Sequence, residues 1–227
     1  MPDRHPLSGK FIVLDGGEGC GKSTQMKRLH ETLTNEGATV AAVRDPGSTA
    51  TGERIRDLLL DPQSQIGMRC EMLLYMAARA QLVPETIRPA LDRGEVVLAD
   101  RFFSSTHAYQ LGGDGLTFDD IADVARVATA GCTPDLTLIL DVPTDIAQQR
   151  VVPKYVPLFE GTEVADKDRI ERRPTEYHAG VRQNYLQLAK REPDRHAVID
   201  ATGDPDTVAK SVYDTLLARL AGAAVSR

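Results

Sequence analysis

The chain has 227 residues, 41% of them hydrophobic, and its 27 basic and 33 acidic side chains leave a formal charge of -6. That length can bury one good core, and the acidic balance leaves no diffuse basic field to hold nucleic acid or an anionic membrane. No apolar run approaches the roughly 18 residues of a membrane span, and residues 1–10 have no apolar leader core.

In chain order, short β-rich apolar runs alternate with longer amphipathic stretches, the pattern of a parallel sheet with crossover helices. The first run, Phe11–Leu14, leads into Gly16-Gly17-Glu18-Gly19-Cys20-Gly21-Lys22-Ser23. This fits the phosphate loop G-x-x-x-x-G-K-(S/T), and a helix is expected over Ser23–Glu36. The glycines let backbone N–H groups close around a phosphate chain, with the small Cys20 among them. Lys22 reaches the terminal phosphates, the Ser23 hydroxyl ligates Mg²⁺, and Thr24 joins the phosphate contacts at the start of the helix. The ligand implied is a nucleoside triphosphate.

The second strand, Val40–Val43, ends in Arg44-Asp45-Pro46-Gly47-Ser48-Thr49, where Pro and Gly force a tight turn and present a guanidinium. Helices follow over Thr51–Leu60 and Cys70–Arg93. On the second of these, Glu71, Tyr75 and Arg79 fall at i, i+4 and i+8 on one face. An aromatic followed a turn later by Arg can stack a base and bond its edge; it can equally be a core tyrosine beside a surface arginine. The third strand, Val96–Ala99, ends in Asp100-Arg101. The carboxylate can orient Mg²⁺ and its waters, and the guanidinium can clamp phosphate oxygens. Ser105-Thr106 and Tyr109-Gln110 supply short polar groups at the same end of the sheet.

Helices over Phe118–Ala130 and Asp145–Arg150 flank a fourth strand, Leu136–Leu140. From Val151 to Lys167, Pro153, Pro157 and Gly161 disrupt helix, and the basic Lys167, Arg169, Arg172 and Arg173 favour a phosphate-facing lid over a solvated loop. A helix over Thr175–Arg191, a strand at Ala197–Ile199 and a helix over Pro205–Leu220 complete the pattern. Near-continuous apolarity predicts that every strand is buried on both faces. The strand ends mark the edge where an open α/β sheet builds its site. One domain is expected over 10–221, with a lid at about 151–173 and tails at 1–9 and 222–227. The odd, widely spaced Cys20, Cys70 and Cys132 read as free thiols in a reducing compartment, so a cytoplasmic placement is expected.

The stretch Asp100-Arg101-Phe102-Phe103-Ser104-Ser105-Thr106-His107-Ala108-Tyr109-Gln110 resembles the D-R-(Y/F/H)-x-x-S-(S/T)-x-A-Y-Q signature of the thymidylate kinase family. The Arg44–Thr49 turn resembles that family's R-E-P-G-G-T, with Asp45 for Glu and Ser48 for Gly. Leu140-Asp141-Val142, Asp168-Arg169-Ile170-Glu171 and Ile199-Asp200-Ala201-Thr202 match in order, so the likeness runs from about Lys10 to Leu220. It implies an α/β fold with a five-stranded parallel sheet flanked by helices on both faces, of the P-loop kinase type with a mobile lid. It also implies an ATP:dTMP phosphotransferase that makes dTDP for dTTP synthesis, with Mg²⁺, as a homodimer through helices that include Cys70–Arg79.

Carried over residue by residue, Glu18 would bind the acceptor sugar's 3′-hydroxyl, and Arg44 and Arg101 its phosphate. Tyr75 would stack on the base, Arg79 would reach thymine O4, Thr106 and Gln110 would read the base edge, and Tyr109 would pack against the sugar. Pro46, after a cis peptide, and Ser105 belong to the same acceptor end. The lid departs from the family. Members with Gly after the loop acid, as at Gly19, draw a catalytic Arg from an R-x-x-x-R lid, but Arg150 is followed here by Val-Val-Pro-Lys. The donor-phosphate role falls on Arg150 and Arg169 ahead of Lys154 and Lys167, and Ala201-Thr202 are the expected adenine contacts. Tyr177 and Arg182 match lid-helix positions less specifically.

Phosphoryl transfer to a monophosphate needs no general base, because the acceptor is already an anionic nucleophile; positioning and charge neutralisation carry the reaction. Two rivals are a kinase for another acceptor and a nucleotide-dependent switch acting on a protein. Against the switch stand the assembled acceptor pocket and the lack of an N-K-x-D base-reading motif.

Overall fold

The computed structural model describes residues 5–151 and 168–221. Its strands are β1 (Phe11–Gly16), β2 (Val40–Arg44), β3 (Val96–Asp100), β4 (Leu136–Asp141) and β5 (His196–Asp200), all parallel in the order β2-β3-β1-β4-β5. The helices are α1 (Lys22–Asn35), α2 (Ala50–Leu60), α3 (Met68–Leu82), α4 (Arg88–Asp92), α5 (Phe103–Gln110), α6 (Phe118–Ala128), α7 (Thr144–Val151), α8 (Thr175–Arg191) and α9 (Pro205–Leu216).

Two-residue periodicity sorts the central strands between two cores. Ile12, Leu14, Leu98 and Leu138 pack with Leu29, Leu33, Val208 and Val212 on one face. Phe11, Val13, Val97 and Ala99 pack with Leu82, Ile87 and Phe102 on the other. Burial on both faces therefore holds for β1, β3 and β4. It fails for β2 and β5, the sheet's two edges, where Ala42 and Val198 are exposed. Composition alone does not say which apolar strand will lack a neighbour.

Three further differences have local causes. The expected Cys70–Arg93 helix is α3 and α4 joined by a π-helical turn over Val83–Ile87. Pro84 and Pro89 have no N–H to donate, so the four-residue ladder cannot run through them. α5 was not expected as a helix: it is buried nearly all round, so it carries no amphipathic period. Leu7, assigned to a tail, is fully buried in the α1/α9 core, so the fold begins before Lys10. Of the expected lid, residues 152–167 lie outside the described residues, as do Lys154, Lys167 and the 222–227 tail. The three cysteines are free.

Candidate active site

The parallel register brings the strand ends to one edge: Arg44 lies opposite Asp100, Gly16 opposite Leu140, and Asp141 opposite Asp200. After β1 the phosphate loop closes against its neighbours so tightly at Gly16 and Gly19 that only glycine fits there. A Cβ on Gly16 would lie 2.6 Å from the Leu140 carbonyl oxygen, and one on Gly19 2.3 Å from that of Ala147. The loop runs into α1, whose N-cap Gly21 has no side chain to occupy the free N–H groups of the first turn. Lys22 Nζ stands 4.0 Å from Asp100 Oδ1, a buried oxygen with no hydrogen-bond partner among the described residues.

These groups open into one cavity of about 780 Å³. It is lined by Gly17, Glu18, Gly19, Cys20, Gly21, Lys22, Ser23 and Thr24 at the loop, and by Asp100 and Arg101 beside it. Arg44, Pro46, Tyr75, Arg79, Ser105, Thr106, Tyr109 and Gln110 line one end, and Arg150 and Ala201 the other. Gly16 and Thr202 stand behind the wall, where their carbonyl oxygens accept from Arg101 and Arg150.

Arg101 is held from several sides. Its φ is +71°, a left-handed conformation that a non-glycine residue adopts at some cost in strain. Its guanidinium donates to Asp15 Oδ1, Gly16 O, Ser105 Oγ, Tyr185 OH and Tyr109 OH at 2.9–3.2 Å, and lies over the Tyr109 ring. Asp15 is fully buried and also accepts from Ser105 Oγ and Tyr185 OH. The Ser105 hydroxyl is thus spent on Asp15, and supports Arg101 rather than facing a ligand.

The opposite wall rests on a buried ion pair. Asp45, whose peptide to Pro46 is cis as expected, accepts from Arg79 Nε at 2.5 Å. Burial pushes the Asp45 carboxyl up, and the Arg79 charge pulls it back. Arg79 also donates to Met76 Sδ, Thr106 Oγ1 and Phe102 O, leaving one of its five N–H groups over among the described residues. It is a buried wall residue, not a surface arginine. Tyr75, with its phenol pushed up to about 12 by burial, lies beside it as a neutral ring. Gln110 Nε2 donates to the fully buried Glu71 at 2.7 Å. Arg44 sits on the rim with its guanidinium 3.0 Å from Glu53.

Arg169 departs from expectation. It does not line the cavity; it donates to Leu59 O and, at 2.5 Å, to Glu71. Arg173 joins it on Glu71 at 2.7 Å. The post-lid basic cluster therefore turns inward in part, because a buried carboxylate on α3 needs cationic partners. Arg150 donates to the Ala201 and Thr202 carbonyls, at the end of the cavity bounded by Gly203, Pro205 and Val208. Tyr177 donates to Tyr109 O, and Arg182 pairs with Asp141.

Sequence reading missed Arg56, which lines the cavity and donates to Pro46 O at 3.2 Å. Burial, then the nearby Arg44, lower its pKa. The signal was the Thr49 cap, which opens α2 so that its second turn returns over the Pro46 turn. Tyr185 was missed, and Asp15, which follows the first apolar run, was given no role, because neither lines this cavity.

A family model described as thymidylate kinase matches residues 14–212. A thymidylate kinase of Deinococcus radiodurans is 42% identical over 205 residues, covering 90% of this chain and 95% of its own length. One of Halothermothrix orenii is 43% identical over 207 residues, at 91% and 96% coverage. One of Chromohalobacter salexigens is 43% identical over 215 residues, at 94% and 97%.

Proposed function

The chain belongs to the thymidylate kinase family, and we propose that its cavity seats ATP and dTMP end to end. The enzyme transfers the γ-phosphoryl group of ATP to dTMP, giving dTDP for dTTP synthesis. The observation that carries the site reading is the single cavity that joins Lys22 to Arg101 and continues to Tyr75, Arg79 and Gln110.

In this reading the loop N–H groups, Lys22, Ser23 and Thr24 hold the ATP phosphates, and Arg150 with Ala201 bounds the adenine end. Glu18 meets the acceptor sugar and Tyr109 packs against it, while Arg101, Arg44 and Arg56 hold the acceptor phosphate. Tyr75 stacks on the base, and Arg79, Thr106 and Gln110 meet its edge. Arg101 sits between the two phosphates, rigidly supported, so it neutralises charge without reorganising. Ser23 and the orphaned Asp100 oxygen fit a divalent cation, Mg²⁺ in this reading, which would share charge with the phosphates when bound.

Among the described residues no helix is long and apolar enough to cross a membrane. α3 exposes Leu73, Ala77 and Ala80 along one stripe, an apolar face suited to a second copy of the chain. We place the enzyme in the cytoplasm as a homodimer that does not bind nucleic acid; light scattering tests the dimer. An acceptor panel of dTMP, dUMP, CMP, AMP and thymidine with labelled ATP tests the site. Preference for dTMP supports it, and preference for another acceptor shows that Tyr75, Arg79 and Thr106 are misread.

A further inference from the structure

Gln110 is 1% exposed, and its two amide atoms meet different surroundings. Nε2 donates to Glu71 Oε1 at 2.7 Å, while Oε1 has no hydrogen-bond partner among the described residues. The other Glu71 oxygen accepts from Arg169 at 2.5 Å and Arg173 at 2.7 Å. A carboxylate paired with two guanidiniums offers Gln110 only acceptor lone pairs. Turned the other way, the amide would set oxygen against oxygen, so Glu71 decides which Gln110 atom is left over.

We propose that Glu71 is a positioning residue for acceptor selection: by holding Gln110 Nε2 it presents Oε1 to the base as an acceptor. The inference rests on reading the Tyr75–Gln110 end as the acceptor site. Arg79, which lines the same cavity as Gln110, is a pure donor with one N–H unspent among the described residues. The pair asks for a ring carbonyl next to a ring N–H, which thymine and uracil supply at O4 and N3. Cytosine reverses both, with an amino group facing Arg79 and a lone pair facing Oε1. A mismatched buried acceptor lowers affinity on the order of 10- to 100-fold. Replacing Glu71 by glutamine would let either amide atom face it, freeing Gln110 to turn over.

The test measures kcat and KM for dTMP and dCMP, with ATP, on the full chain and on Glu71→Gln, Gln110→Leu and the double variant. Gln110→Leu should raise the KM for dTMP by about 10-fold or more, with a smaller change in kcat. Glu71→Gln should lower the dTMP:dCMP ratio of kcat/KM about 10-fold, and add little to that ratio in the Gln110→Leu background. If Glu71→Gln slows both acceptors equally, Glu71 is only an anchor for the arginines and the proposal is overturned. If Gln110→Leu leaves the dTMP KM unchanged, the acceptor-site reading itself fails and the proposal goes with it. Should Glu71→Gln not fold, NMR of the ¹⁵N-labelled native chain decides. The Gln110 side-chain N–H should be protected from exchange with and without dTMP, and free exchange overturns the proposal.

Discussion

The two ends of the cavity are built from different materials. At the end proposed for the triphosphate, the loop and the first turn of α1 offer backbone N–H donors, and Lys22, Ser23 and Thr24 are partly or fully exposed. At the acceptor end the groups are side chains drawn from α3, α5 and the Arg44–Pro46 turn, and they rest on the buried pair Asp45–Arg79 and the buried carboxylate Glu71. The first end can lose a side chain and keep its shape. The second cannot, because removing one partner strands a charge in a dry interior.

The largest effect is expected where the two ends meet. Arg101→Ala should cut kcat by about 10³-fold or more while ATP affinity, followed with a fluorescent analogue, shifts by no more than about 3-fold. Unchanged steady-state rates would show that the ends do not share this residue. Next is a direct contrast in stability. Arg79→Leu leaves Asp45 buried and unpaired and should cost about 3 kcal/mol or more in urea unfolding, whereas Lys22→Ala should stay within about 0.5 kcal/mol. Equal losses in the two variants would erase the distinction.

Acid tests α5, which carries part of the acceptor end and holds His107 away from the cavity. Burial against Phe118 and Phe103 pushes the His107 imidazole down to about 4 from an ordinary 6.5. The native state therefore binds fewer protons than the unfolded chain. This contribution to stability is whole above pH 6.5 and is lost as pH falls toward 4, where the loss reaches about 3 kcal/mol. His107→Phe should flatten that slope in urea titrations; an unchanged slope would place the acid sensitivity elsewhere. The smallest effect expected is that of Arg150→Ala, which should raise the KM for ATP about 3- to 10-fold and leave that for dTMP unaltered, measured by varying each substrate in turn.

The same division explains what could be read in advance. The phosphate loop, its strand and its helix are contiguous, so the motif from Gly16 to Thr24 was legible in the sequence, although the carbonyls that exclude a Cβ at Gly16 and Gly19 come from Leu140 and Ala147. All five strands were legible because apolar runs bounded by turn residues need no distant partner to be recognised. Arg169 was misplaced because its charge says only that it needs an anion. Whether that anion is a phosphate or Glu71 depends on the fold bringing residues 71 and 169 together. Arg56 and Tyr185 were invisible for the same reason.

The sequence by itself thus determined the parallel α/β plan and the phosphate-loop motif, since local periodicity and backbone geometry dictate these, while the kinase chemistry was read from the resemblance carried by Asp100–Gln110 and Arg44–Thr49. Only the tertiary structure decided which strands became edges, which arginines line the cavity and that Gln110 bonds Glu71. Those choices follow from desolvation: a buried charge or amide must find its partner across the chain, and that partner exists only once the chain has folded.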